Sequence, residues 1–161
     1  MNRWKRALVG LVLVVIVSIS LLGAGCGGNT PEGAAKKFLD AWSSGNWESF
    51  KKTVLPEDAK LTKEEDELAR QMFEQVKVKF NGIKMKTTYD SKDKNKATVE
   101  LTGGKIFFTA KISGKVETRS EDIAKMDKSS RPSLACMRRN GTWFVHQEVG
   151  FMMTRRGFMP D

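Results

Sequence analysis

The chain offers few side chains for chemistry, because its 161 residues include one His and two Cys. His146 stands two residues before Glu148, and an imidazole beside a carboxylate can act as a general base in a closed site. Alternation along this segment puts both side chains opposite the apolar Trp143, Val145 and Val149. We therefore expect His146 to be a half-exposed structural residue on the outer side of a sheet.

The N-terminus has the layout of an export signal. Arg3, Lys5 and Arg6 precede an uncharged apolar run over residues 7–22, and small residues follow it. Residues 21–26, Leu-Leu-Gly-Ala-Gly-Cys, resemble the lipobox of bacterial lipoproteins, in which the Cys thiol receives a diacylglyceryl group before the leader is cut in front of it. Gly23 stands where that pattern usually has Leu, Val or Ile, so an uncut signal anchor is the alternative interpretation.

Both interpretations put the rest of the chain outside the cytoplasm. The resemblance implies a signal peptide over residues 1–25, a lipidated Cys26 and a flexible tether up to residue 29. Two acyl chains, each contributing about 0.8 kcal/mol per buried CH₂, make a durable anchor. The expected location is the extracytoplasmic side of the cell membrane, with the membrane itself as a partner.

Cys136 is the second thiol, and with Cys26 acylated no disulfide is available within the domain. A single Cys in a predicted strand is more typical of a small core residue than of a nucleophile. Zinc sites need several Cys or His, and the glycine spacings of dinucleotide and phosphate loops are missing. We expect no metal site, no catalytic residue and no cofactor.

Three helices are predicted after the tether. Thr30 followed by Pro31 opens the first, over residues 30–45, and Asn46 caps a short second helix over residues 46–56. A capping box at Thr62 opens the third helix, which the apolar spacing extends over residues 62–82.

From Ile83 onward the apolar period changes to two, which predicts half-buried strands. Gly103-Gly104 is predicted to be a two-residue hairpin turn, and the polar segment 119–131 a loop or short helix. Asn140-Gly141 is the strongest hairpin signal. The predicted strands are residues 83–89, 97–101, 106–112, 134–138 and 143–149.

Helices followed by an antiparallel meander predict a single α+β domain, with N-terminal helices packed on a curved antiparallel sheet. Residues 30–47 and the closing residues 140–145 resemble exported members of the nuclear transport factor 2-like, or cystatin-like, superfamily. The resemblance implies a cone of helices and bent sheet over residues 30–150, often with an apolar cavity at the open end. Residues 151–161 form a basic, Met-rich tail.

Two sets of candidate site residues follow from the strand faces. The inner face predicts ligand-pocket candidates at Trp42, Tyr89, Trp143 and Gln147, although large aromatics at such spacing are more often core residues. The outer face predicts interface candidates at Phe107, Phe144 and His146, for a homodimer or an envelope protein partner.

The net charge of +9 comes from 28 basic and 19 acidic residues. This charge suits anionic headgroups or envelope polymers, although scattered cations are more typical of a solvated surface. We expect no nucleic-acid partner, because the export signal argues against an intracellular location. We expect a lipid-anchored module without catalytic activity that binds a small apolar ligand or an envelope protein. The alternatives are a small-molecule enzyme using the cavity and a basic protein binding anionic polymers.

Overall fold

A computed structural model describes residues 29–112 and 115–147 of the chain. The predicted signal peptide, the predicted lipidation site Cys26 and the tail over residues 151–161 lie outside the described residues. Glu148 and Val149, at the end of the last predicted strand, also lie outside the described residues. What the sequence predicts for all of these residues therefore stays a prediction.

The three helices begin at their predicted caps. Helix α1 is Pro31–Ser44, where Thr30 Oγ1 accepts a hydrogen bond of 3.0 Å from the Gly33 N–H. Asn46 caps the short helix α2, Trp47–Lys51, and a complete capping box at Thr62 opens helix α3, Lys63–Gln75. Each cap satisfies an N–H group that the first helical turn leaves unpaired. None of the described helices is long and apolar enough to cross a bilayer.

An antiparallel five-stranded sheet follows the helices, and it curls into a half-barrel around them. The strands are β1, Val76–Tyr89; β2, Lys96–Ile112; β3, Lys115–Asp122; β4, Ser133–Arg139; and β5, Thr142–Val145. Strand β2 is at the centre of the sheet: β1 pairs along one edge, and the other edge is shared by β3 at one end and β4 at the other. Strand β5 pairs with β4. The expected α+β, cone-like single domain is therefore confirmed.

The third predicted helix was too long. It ends at Gln75, and residues 76–80 open strand β1. Val76, Val78 and Phe80 alternate with two lysines, so these apolar residues satisfy a period of two as well as a helical spacing. Pairing with β2 decides the competition in favour of the strand.

The predicted hairpin turn at Gly103-Gly104 is also wrong. Strand β2 continues through both glycines to Ile112, and the register with β1 shifts between Asn81 and Met85. Gly104 has φ of +102°, and Gly82 on the facing strand has φ of +62°. The two positive-φ glycines bend the paired strands together, which accounts for the curl of the sheet.

The second half of the chain agrees with the expectation at its last hairpin. Asn140 and Gly141 both have positive φ, as a type I′ turn requires, and they join β4 to β5. The polar segment 119–131 is different: its first part completes β3, and single 3₁₀ turns follow at Ile123–Lys125 and Lys128–Ser130.

The core lies between α1 and the inner face of the sheet. Phe38 and Phe50 are fully buried, with ring centroids 4.9 Å apart, and Phe73 of α3 lies 4.8 Å from Phe50. This aromatic cluster joins all three helices. Val54 adds a parallel bridge to Val145, which ties the segment after α2 to the last strand.

Candidate functional site

An apolar cleft of about 240 Å³ opens between α1 and the inner face of the sheet. Phe38, Leu39 and Trp42 contribute from the second half of α1. The sheet side of the cleft consists of Val78, Phe80, Leu101, Ile106, Phe108, Pro132, Ser133 and Leu134, and Gln147 lies after the last strand.

The glycine bend creates this cleft. Phe80 and Ile106 are paired partners on the inner face, directly beside Gly82 and Gly104. Because the strands turn at that point, their inner faces curve around the last turns of α1 instead of lying flat beneath it. Trp42 sits in this curve, with its ring 6.1 Å from Phe80 and 5.7 Å from Phe38 in edge-on contacts.

The lining side chains supply mainly apolar contact. Among the described residues that line the cleft, the polar side chains are Ser133 and Gln147, and none is titratable. Their hydroxyl and amide groups each donate and accept hydrogen bonds. The arrangement therefore suits an uncharged apolar molecule with one polar group that reaches the Gln147 side.

The four predicted pocket residues separate into two pairs. Trp42 and Gln147 both line the cleft, at the end of α1. Tyr89 and Trp143 instead contact each other edge to face, with centroids 6.0 Å apart. Trp143 is buried, whereas Tyr89 is half exposed.

The second pair lies at the opposite end of α1. Thr87, on the same strand face as Tyr89, donates a 2.9 Å hydrogen bond to Glu32 in the first turn of that helix. Trp42 is ten residues later than Glu32, which is about 15 Å along a helix. The structure thus brings two of the four candidates together at the cleft and leaves the other two at the far end of the domain.

The outer face holds the three predicted interface residues, but they do not form one patch. Phe144 lies beside Met137, which pairs with Lys96 at the start of β2. Phe107 is also on β2, eleven residues after Lys96. His146 follows Phe144 by two residues, so these two lie near each other and far from Phe107. The outer face therefore has one region around Phe144 and His146 and a separate region around Phe107.

Asp58 is a partner of His146 that sequence reasoning missed. Its Oδ2 atom lies 2.8 Å from His146 Nδ1 and accepts a hydrogen bond of 2.9 Å from the Gln147 N–H. The Asp58 side chain is only 7% exposed, whereas that of His146 is 47% exposed. The two residues are 88 positions apart, so no local spacing signals the pair.

Cys136 lies on the inner face of β4, as expected for a core residue. Burial raises the pKa of its thiol to about 12. The thiol donates a hydrogen bond to the Pro31 carbonyl oxygen, with an Sγ–O distance of 3.7 Å. A protonated, buried thiol is a poor nucleophile. Over residues 29–112 and 115–147, no group of three or more His, Cys, Asp or Glu side chains is arranged to hold a metal ion.

A scan against protein-family models and a search of curated proteins each found no match to the chain.

Proposed function

We propose that this chain is an exported, lipid-anchored envelope protein whose cone-like domain binds a small apolar ligand in the cleft beside α1. Two features of the sequence support the lipid anchor: the N-terminal leader, with its basic residues and apolar run, and the small residues that directly precede Cys26. The domain type proposed is the nuclear transport factor 2-like one, on the strength of residues 30–47 and 140–145. Ligand binding is the role proposed for it rather than catalysis.

The observation that carries the proposal is the cleft itself. It is apolar, it lies between a helix and a bent sheet, and Gln147 and Ser133 supply its polar edge. Binding sites for drug-sized ligands are roughly 300–1,000 Å³, so a cleft of about 240 Å³ suits a smaller molecule. A short acyl chain with one polar end has the matching chemistry.

Photo-crosslinking tests this assignment in the full-length chain. The uncharged methyl ester of a medium-chain fatty acid carrying a diazirine is added to the protein in lipid vesicles, and the labelled peptides are mapped by mass spectrometry. The expected labels fall on cleft residues such as Trp42, Phe80 and Leu134. Labels confined to the leader and the tail would contradict the proposal.

Two variants make the experiment specific. Leu134→Trp fills the cleft from β4 and should abolish the cleft labels, and Gln147→Trp should do so from outside the strands if the first variant folds poorly. Leu68→Trp is the matched control, because Leu68 is 55% exposed on α3 and does not line the cleft.

A column of lysines supports a second candidate, binding to anionic envelope polymers. Lys77, Lys79, Lys84 and Lys86 are all exposed on strand β1, on the edge of the sheet. Residues 76, 78 and 85, which alternate with them, face the core cluster. The lysines therefore share the outer face, where a polyanion can follow the strand.

Retention of the full-length chain on immobilised polyphosphate tests this candidate. Binding should weaken steeply as salt rises, and Lys77→Glu with Lys79→Glu should reduce it more than Lys36→Glu with Lys37→Glu on α1. Equal losses in the two double variants would show a response to net charge alone and exclude a binding surface on β1.

A further inference from the structure

A second depression, of about 370 Å³, lies on the outer face of the sheet. One row of paired residues crosses it. Thr88 on β1 pairs with Thr98 on β2, and Thr98 pairs with Ala135 on β4. His146, the residue directly after β5, extends the row, because its N–H donates a 2.7 Å hydrogen bond to the Ala135 carbonyl. We call this depression the outer groove.

Ala135 forms the floor of the outer groove. It stands between Thr98 and His146, whose strands are two spacings apart, or about 9 to 10 Å. A methyl group between two larger side chains leaves an open notch. Met137, the next outer-face residue on β4, adds an apolar wall.

Asp58 determines which hydrogen-bonding group His146 presents to the groove. An ionised carboxylate only accepts hydrogen bonds, so the 2.8 Å contact requires the proton on Nδ1 of the imidazole. In the neutral ring, Nε2 is then an acceptor. The Gln147 N–H also donates to Oδ2, which holds the carboxylate in place.

The charged groups at the groove limit the class of ligand. Asp90 is held by two hydrogen bonds to its Oδ1 atom, from the Lys92 N–H at 2.7 Å and the Asp93 N–H at 2.9 Å. The Lys92 bond, followed by the Asp93 bond, lowers the pKa of Asp90 and favours its ionised form. Lys96 carries the opposite charge at the same groove. Lys96 Nζ also lies 3.7 Å from Asp93 Oδ2, so its charge is already paired. With charges of both signs at its rim, the groove has no excess charge that would favour an anion or a cation over a neutral molecule.

From this arrangement we infer that the outer groove binds a small neutral polyhydroxylated compound, such as a sugar, with one hydroxyl donating to Nε2 of His146. Sugar hydroxyls both donate and accept, so they match the imidazole acceptor and the hydroxyls of Thr88 and Thr98. The C–H face of the ring packs on Ala135 and Met137. This site is on the opposite face of the sheet from the apolar cleft and takes a ligand of different chemistry.

Nuclear magnetic resonance of the imidazole tests the inference, because His146 is the only histidine in the chain and its ring signals need no assignment. In the full-length protein in micelles at about pH 8, the ¹⁵N shifts of the imidazole should show the proton on Nδ1. Glucose or N-acetylglucosamine should then move the ring signals saturably in the millimolar range. A proton on Nε2, or no saturable shift with either sugar, would overturn the inference.

Two variants separate a groove from a general effect of added sugar. Ala135→Val fills the notch on an exposed strand position, does not touch Asp58, and should weaken the response roughly tenfold or more. Ser120→Val is the control, because Ser120 is exposed on the outer face of β3 and pairs with Phe107, outside the groove. An undiminished response in Ala135→Val, with the imidazole tautomer retained, would equally refute the site.

Discussion

Asp66 connects the second and third helices through two hydrogen bonds. Its Oδ1 atom accepts from Trp47 Nε1 at 3.1 Å and from Lys51 Nζ at 2.7 Å. The Lys51 hydrogen bond is the main reason that the pKa of Asp66 is lowered, with Trp47 adding to it and partial burial opposing it. A carboxyl with a lowered folded pKa stabilises the fold above its ordinary pKa. That contribution is lost as pH falls through the folded value.

We therefore expect Asp66→Asn to lower the free energy of unfolding by about 1 kcal/mol near neutral pH. The difference from the unsubstituted chain should shrink below about pH 4, where carboxylates protonate. Urea unfolding at a series of pH values measures it. Glu64→Gln, an exposed position in the same helical turn, is the control; a deficit for Asp66→Asn that stays constant into acid would contradict the assignment.

At the scale of elements, the bend in the β1–β2 pair determines the shape of the inner face. A Cβ atom on Gly104 would lie 2.7 Å from the Gly82 carbonyl oxygen and 2.8 Å from that of Asn81. Backbone atoms cannot move aside without disturbing the pairing of the strands. Gly104 also has the positive φ that side chains rarely adopt. Glycine is therefore required here by both contact and conformation.

Gly104→Ala should cost about 2 kcal/mol of folding stability, measured as the shift of the urea unfolding midpoint. Gly103→Ala is the matched control on the same strand. Its new Cβ would meet only the flexible side chain of Lys84, at 3.4 Å, so its cost should be smaller. Equal costs at the two positions would show that the close contact of Gly104 with the backbone of β1 is not what requires glycine there.

At the scale of the whole molecule, the proposed anchor distinguishes the two cysteines. We expect the mature protein to begin at Cys26, to carry fatty acyl groups and to remain in the membrane fraction. Intact-mass spectrometry after expression in a bacterial host measures both the cut and the modification. Cys26→Ser should abolish both, whereas Cys136→Ser should leave them unchanged because that buried thiol, with a pKa of about 12, belongs to the core. A polypeptide that retains Met1 and carries no lipid would contradict the anchor.

The sequence alone predicted the features that depend on a few neighbouring residues. Thr30, Asn46 and Thr62 marked the helix starts because a cap satisfies N–H groups within three positions of itself. Asn140-Gly141 marked the last hairpin because two adjacent residues supply the positive φ values of its turn. The switch from helical to alternating spacing predicted the α+β class.

Only the tertiary structure decided the features that depend on distant segments. Residues 76–80, which the sequence predicted to be helical, form a strand because they pair with β2. Gly104, predicted to lie in a hairpin turn, lies in a bend of β2 where it packs closely against Gly82. The same folding brought Trp42 to Gln147, and Asp58 to His146 across 88 positions. These contacts join residues that are far apart in the sequence, and such residues leave no signal in the local spacing. Neither the cleft nor the outer groove could therefore be predicted from the sequence alone.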